Sequence, residues 1–533
     1  MSARVGGVLD LREAQQRQQR QQTLLGVVSG LLALAAVLSY VLVEPTTLLV
    51  PILLLTATLL PAVFWFYPRL SLYGILGAAC LFEVFQTRKD GQGITDTVPF
   101  FWNINTMFEK YLGANPKAAP INFLEMVLIL FAAVVLLRLA VHRKTVIRCG
   151  SLFWPILGYL SFVTLGWANG MATGGNFVEA LQEVRAQFYF GIVYLMAFNA
   201  FRDRKQIDVL IWISVLCITF KAFNYIYRHF TVYQGVIQEQ GVGSHEEAFF
   251  FMAFVLLLAV LSFAGVQRRL QVLMWTLLPF IFFANLTTNR RTAYAALSII
   301  LPILLLAAYR GFPKARKSVV AFLVTLAIVF PPYFFAFRTS AGALGGPARA
   351  INSAISPNER DSNSDMYRQI ENYDLMLTMR STTTTQLIGY GYGKRFLTPG
   401  GNLDSIKSIY AWYNLLPHNQ ILWVWMRLGT LGFLAFWGMV SAIIVYACRI
   451  VRFHAPAKRR DTTPRTDTNP YPRMVALYSL ALVGLLMVFG LLDLQLSNYR
   501  DMIFVAMWVG AMAGLTPGAM ALNDPEARRK RSR

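Results

Sequence analysis

Residues 285–306 read NLTTNRRTAYAALSIILPILLL. The adjacent arginines Arg290 and Arg291 separate an apolar run at 271–288 from a second at 292–309. A helix needs about 20 apolar residues to cross a hydrocarbon core of about 30 Å. The stretch therefore reads as two membrane spans joined by a turn at 289–291. How often the pattern returns decides the fold class.

Comparable runs fall at 24–43, 46–66, 70–86, 122–141, 152–169, 187–201, 207–227, 248–266, 318–337, 420–447, 474–492 and 502–516. Together these predict about 14 transmembrane helices, within a range of about 12–14. The run at 70–86 is short, and the run at 420–447 is long enough to contain a break. With 56% hydrophobic and only 14% charged residues among 533, a soluble domain could not cover its apolar surface. The expected class is an all-α, polytopic helical membrane protein. A membrane β-barrel would show alternating strands of about ten residues, and none are visible.

The net charge of +22 invites a nucleic-acid reading. The cations are instead scattered in short segments between apolar runs, without zinc-finger, Walker or RNA-binding motifs. No nucleic-acid partner is expected. Arg69, His142 to Arg148, Arg202 to Lys205, Arg268–Arg269, Arg310 to Lys317 and Arg449 to Arg473 all fall on one side of the predicted bundle. The bias of lysine and arginine makes that side cytoplasmic. Both termini lie there: a retained polar tail at 1–23 and a basic tail at 517–533. Between them come a first set of helices at 24–337, a large outer (periplasmic) loop at 338–419 and C-terminal helices at 420–516. The cysteines Cys80, Cys149, Cys217 and Cys448 form no CxxC motif and read as packing residues.

This topology turns Arg290 and Arg291 outward, together with Arg185 in EALQEVRAQFYF, against the usual bias. Arginines at helix ends can snorkel to lipid headgroups. An adjacent outward pair also makes an anion site, because guanidinium forks hold phosphate oxygens bidentately. In the outer loop, SDMYRQIENYDLMLTMRS predicts an amphipathic helix with Met366, Ile370, Tyr373, Leu375 and Met376 on its apolar positions. IGYGYGKRF predicts a tight glycine-rich reversal. His418 stands where the loop re-enters the membrane, and imidazole can act there as general base or hydrogen-bonding partner.

These motifs resemble the O-antigen ligase and O-antigen polymerase superfamily over about residues 175–435. LPHNQILWVWMRLGTLGFLAF (416–436) is similar to its HN-x-x-L…LG-x-x-G stretch, and TTNRRTAYAALSIILPILLL (287–306) to its arginine-led helix. YRQIENYDLMLTM (367–379) with QLIGYGYGKRF (386–396) is similar to its Arg-x-x-x-W…G-x-G-x-G segment. EALQEVRAQFYFGIVYLMAFN (179–199) resembles its outward arginine before a span. Arg427 stands where the family often has an acidic residue, and a tyrosine, Tyr373 or a neighbour, where it has tryptophan.

The resemblance implies a bacterial inner-membrane glycosyltransferase with its site facing the periplasm. Its donor would be a polyprenyl-diphosphate-linked glycan, and its acceptor a glycan or lipid. The reaction would be inverting, with no metal and no cofactor. Arg185, Arg290 and Arg291 would hold the diphosphate and His418 would serve the acceptor hydroxyl. Arg368, Tyr390 and Asn419, which occupy the same motifs, are further substrate-binding candidates. Chain-length or export proteins could be partners. The residues agree: a diphosphate leaving group needs a metal or fixed cations, and no DxD-like pair stands at an outer position. Glu179, Glu183, Glu246, Glu247 and His245 are candidates to assist His418, and the loop tyrosines to stack on sugars. Two other readings stay open: a lipid-linked oligosaccharide flippase or other transporter, and a membrane scaffold or sensor.

Overall fold

The apolar runs fold as helices because a backbone in lipid has no partner but itself. The computed structural model describes residues 60–84, 95, 98, 100–106, 120–141, 147–236, 241–243, 246–340, 345–357, 359–399, 413–453, 469–493 and 495–515. Both terminal tails, the predicted span at 24–43 and most of that at 46–66 lie outside them. The chain divides into two compact units, residues 1–75 with 98–147 and residues 76–97 with 148–533.

In the first unit, α1 (Pro68–Leu81) starts on a proline, whose missing N–H costs nothing at a helix N-terminus. This helix runs on into the second unit. Helix α2 (Phe123–Val141) opens with a reciprocal cap: Asn122 Oδ1 accepts from the Glu125 amide at 2.8 Å, and Glu125 Oε2 accepts from the Asn122 amide at 2.9 Å. Phe64 packs edge-on against Phe131 of α2, ring centres 5.3 Å apart.

The second unit holds α3 (Phe153–Ala172), α4 (Phe177–Ala200), α5 (Arg204–Thr231), α6 (Glu247–Ala264), α7 (Arg268–Thr287), α8 (Arg291–Gly311) and α9 (Arg316–Phe337). There follow three shorter or more polar helices, α10 (Gly346–Ile355), α11 (Glu359–Met379) and α12 (Thr383–Ile388). The chain then re-enters the bundle as α13 (Gln420–Phe453), α14 (Tyr471–Leu492) and α15 (Tyr499–Gly514). Eight helices among the described residues are long and apolar enough to cross a membrane: α2, α5, α6, α7, α8, α9, α13 and α14. No named strand occurs among the described residues; Asn103 and Asn122 form an isolated bridge.

Short turns make α6 to α9 alternate in direction, and cross-contacts fix which ends meet. At one end Tyr471 Oη of α14 donates to Asp208 of α5 at 2.5 Å, and Arg473 donates to the Gly311 carbonyl of α8 at 2.7 Å. The basic residues Arg204, Lys205, Arg268, Arg269, Arg310, Arg316 and Lys317 belong to the helix termini of this end. At the opposite end Gln420 and Ser497 exchange hydrogen bonds at 2.7 and 2.8 Å, and Val242 donates to the Thr287 carbonyl at 2.9 Å. The arginine turn and α10 to α12 lie at this second end, called here the loop-bearing end.

The long run at 420–447 does contain a break. Gly429 has φ 67° and ψ −176° inside α13, a conformation open to glycine and strained for other residues. The carbonyls that the break strands are taken up by the glycine-rich segment: Tyr390 N–H donates to the Met426 carbonyl at 2.8 Å, and Gly391 N–H to that of Arg427 at 3.1 Å. A broken helix at membrane depth is tolerated where such partners exist. Two expectations on packing change. Helix α4 starts ten residues before the predicted span at 187, carrying Glu183 and Arg185 into the interior. Cys80 is buried, but Cys149 and Cys448 are exposed and serve no packing role.

Candidate active site at the loop-bearing end

The site is built on the glycine-rich reversal. Gly389, Gly391 and Gly393 all take positive φ, and the successive residues Tyr390 to Gly393 dock by backbone onto the helices around them. Tyr392 N–H donates to the Gly166 carbonyl of α3 at 3.2 Å, and Gly393 offers its carbonyl to the Asn176 amide at 2.8 Å. The segment thus bridges α3, the start of α4 and the break in α13. Beneath it Glu183 of α4 accepts from Gly393 N–H at 2.6 Å, from Trp423 Nε1 at 3.1 Å and from Arg427 at 2.6 Å. Arg427 also donates to the carbonyls of Gly391 (2.9 Å), Lys394 (2.6 Å) and Leu415 (3.2 Å). Both charges are fully buried. Arg427 therefore has a structural role: its fork ties the loop to α4, and truncating either partner would cost about 3–5 kcal/mol.

His418 precedes α13 on the chain that leaves this clamp. Its backbone N–H donates to Glu371 Oε2 at 2.8 Å, and its Nδ1 lies 3.3 Å from both Glu371 oxygens. Glu371 is buried in α11. One turn on, Asp374 accepts from Tyr413 Oη at 3.1 Å, and Thr378 Oγ1 accepts from Leu397 N–H at 2.9 Å. Burial works against the charged imidazole, but the hydrogen bond and charge of Glu371, with help from Asp493 and opposed by Arg368, hold the His418 pKa above its ordinary value. Burial, opposed by Tyr413 and reinforced by Glu371, raises that of Asp374. A carboxylate on Nδ1 fixes the tautomer in which Nε2 is the basic nitrogen.

No protein-family model and no curated protein matches this chain.

The predicted residues separate into groups. His418 meets Glu371, and Arg368 lies within electrostatic range of His418 and reaches Asp365 at 3.4 Å. Tyr390 docks by its backbone, with Lys394 Nζ 3.9 Å from its ring centre. Asn419 caps α13, its Oδ1 accepting from Leu422 N–H at 3.1 Å. Arg290 and Arg291 open α8, and Arg291 donates to Ser353 of α10 at 3.0 Å. Arg185 is buried in α4. The carboxylates considered as helpers are engaged elsewhere: Glu179 with Arg395 at 2.7 Å, Glu183 with Arg427, and Glu246 and Glu247 with Arg500. His245 lies outside the described residues.

The amphipathic reading of α11 needs correction. Met366 and Tyr373 are exposed, while Glu371, Asp374, Leu375, Thr378 and Met379 are buried. The polar groups turn inward because His418, Tyr413 and the 397 amide supply their partners. Glu371 and Asp374 were missed as site residues for this reason. Their i, i+3 spacing along one stripe of α11 was the available signal.

Proposed function

We propose that this protein transfers glycan from a polyprenyl-diphosphate carrier to a hydroxyl acceptor at the outer face of a bacterial inner membrane, as an O-antigen ligase-like or polymerase-like glycosyltransferase. The observation that carries the reading is the His418–Glu371 pair, which makes Nε2 of His418 the basic nitrogen at the loop-bearing end. In this reading the basic helix termini face the cytoplasm and the loop-bearing end faces outward. The full count of about 14 spans belongs to the same reading.

The acceptor oxygen attacks the anomeric carbon while the bond from that carbon to the diphosphate oxygen breaks on the opposite face. The acceptor proton passes to His418 Nε2, and the diphosphate leaves with the electron pair of the broken bond. Guanidinium groups take up its charge, for which Arg290, Arg291, Arg185 and Arg368 remain the candidates. Glu371 stabilises the imidazolium that forms. No cofactor enters the step.

One observation favours a second reading, a lipid-linked oligosaccharide transporter. Lys221 reaches Glu83 at 2.7 Å and Glu247 at 3.5 Å, and Arg500 reaches Glu246 at 2.9 Å, all buried. Intramembrane charges of this kind often line transport routes. The two readings part in sealed vesicles of purified protein loaded with a fluorescent lipid-linked saccharide. Glycan transfer predicts a new glycosidic bond on an added acceptor without movement of lipid between leaflets. Leaflet exchange without bond formation would support the transporter and remove the enzyme.

A further inference from the structure

Asn285 lies in the last turn of α7 and is fully buried, yet neither its Nδ2 nor its Oδ1 has a hydrogen-bond partner. Across from it on α8, the hydroxyl of buried Tyr294 also has none. The two side chains lie within interaction range of each other without closing a hydrogen bond, and Tyr333 of α9 and Arg349 of α10 are in range of Tyr294. Helix α10 roofs this spot. Ser353 accepts from Arg291, Arg349 donates to the Ser340 carbonyl, and Gly346 sits directly on Leu286, the neighbour of Asn285.

Buried amides are almost always hydrogen-bonded, and each exception calls for an account. An Asn side chain offers two donors and an acceptor, and a Tyr hydroxyl one of each. The complement of that set is a group rich in both donors and acceptors but without charge, such as a saccharide ring. The cations beside it, Arg291 and Arg349, complement a phosphate ester on the same molecule. Helix α9, whose Tyr333 borders the spot, exposes an apolar flank including Val320, Leu323, Val324, Ile328 and Val329, suited to a lipid tail.

We infer that Asn285 and Tyr294 form a hydrogen-bonding subsite for the phosphate-proximal sugar of a lipid-linked saccharide. The inference rests on the glycan-transfer reading and adds to it two residues that select the donor by its sugar. The same chemistry could come from a phospholipid with a hydroxylated headgroup, and the test separates the two.

The experiment measures binding to full-length protein in nanodiscs of phosphatidylcholine. The probes are a polyprenyl diphosphate without sugar, with one hexose, and with one N-acetylhexosamine. Wild-type protein should prefer at least one sugar-bearing probe over the bare diphosphate by about tenfold, the worth of one or two hydrogen bonds. Asn285→Leu and Tyr294→Phe should each bring that ratio close to one while bare-diphosphate affinity stays unchanged. Because Asn285→Leu removes an unpartnered buried amide, ligand-free thermal stability should hold or rise. A fall in stability would mean the amide has a structural partner and would overturn the inference. So would an unchanged sugar preference in both variants, or loss of the preference in nanodiscs of phosphatidylglycerol, which would identify the occupant as bulk lipid. Absence of any preference in wild type, with the bare diphosphate still bound, removes the subsite and leaves the transfer reading standing. If none of the three probes binds, both fall.

Discussion

At His418 the capacity to accept a proton depends on one carboxylate. Glu371 contacts both the backbone N–H and the ring, so it sets the residue's position and its proton affinity together. The raised pKa means that imidazolium persists above the ordinary value of about 6.5. If the neutral ring is the base of the proposed transfer, the transfer rate should therefore grow as pH rises through the folded-state pKa. The stabilising contribution runs the other way: it is complete below the unfolded-state value and is lost as pH rises through the folded one. In Glu371→Gln the chief raising partner is gone and burial dominates, so the acidic limb of the pH–rate profile should move to lower pH. The maximal rate should fall as well, because the ring loses its anchor. A pH–rate profile of wild type and variant checks this, and an unmoved acidic limb would show that Glu371 only packs. His418 could be picked out of the sequence because histidine is rare here and stands at the end of a polar segment. Glu371 could not, since a carboxylate on an amphipathic helix looks like a solvated group until its tertiary partner is known.

Among the helices, α3 and α13 carry the loop by close approach of backbones. A Cβ on Gly170 would fall on the Tyr392 carbonyl oxygen, whereas one on Gly158, in the same helix, would meet nothing within 4 Å. Gly158→Ala should then be neutral or stabilising by up to about 1 kcal/mol, as for a glycine in an open helix. Gly170→Ala should destabilise by about 1–3 kcal/mol, because the obstacle is backbone and cannot rotate away. Thermal unfolding in detergent, with proteolysis of the 389–397 segment as a second readout, distinguishes them. Equal effects would refute the docking described for GYGYG. The apolar runs announced most of these helices, and the length of the run at 420–447 announced a break. The glycine spacing of 389–393 pointed to a reversal but not to its partners. Those are set by Gly166, Gly170 and the Arg427–Glu183 clamp, more than 200 residues apart in the chain at the widest.

At the largest scale, the organising feature of the second unit is the set of short basic helix connections gathered at one end. Helix termini rich in Lys and Arg gather at one end of the second unit, and His418, Glu371, Arg291 and α10 to α12 gather at the other. If the positive-inside bias governs insertion, reporter fusions at Gly311 and Ala457 should score cytoplasmic and a fusion at Gly345 should score external. A cytoplasmic score at Gly345 would place the His418 site on the wrong face for a lipid-linked donor delivered outside. This gathering of basic residues was readable from the sequence, because membrane insertion leaves its record in loop composition. The buried cluster of Lys221, Glu83, Glu246, Glu247 and Arg500 was legible only in part. Lys221 lies inside the apolar run at 207–227, but its carboxylates sit at the ends of other elements. The most direct test of glycan transfer is release of polyprenyl diphosphate by purified protein given a lipid-linked saccharide and an acceptor, with chelator present. Release matched one for one by new glycosidic bonds is predicted, slowed about 10²–10⁴-fold in His418→Ala. Wild-type release in that variant, or no bond formation by the intact protein, would contradict the account.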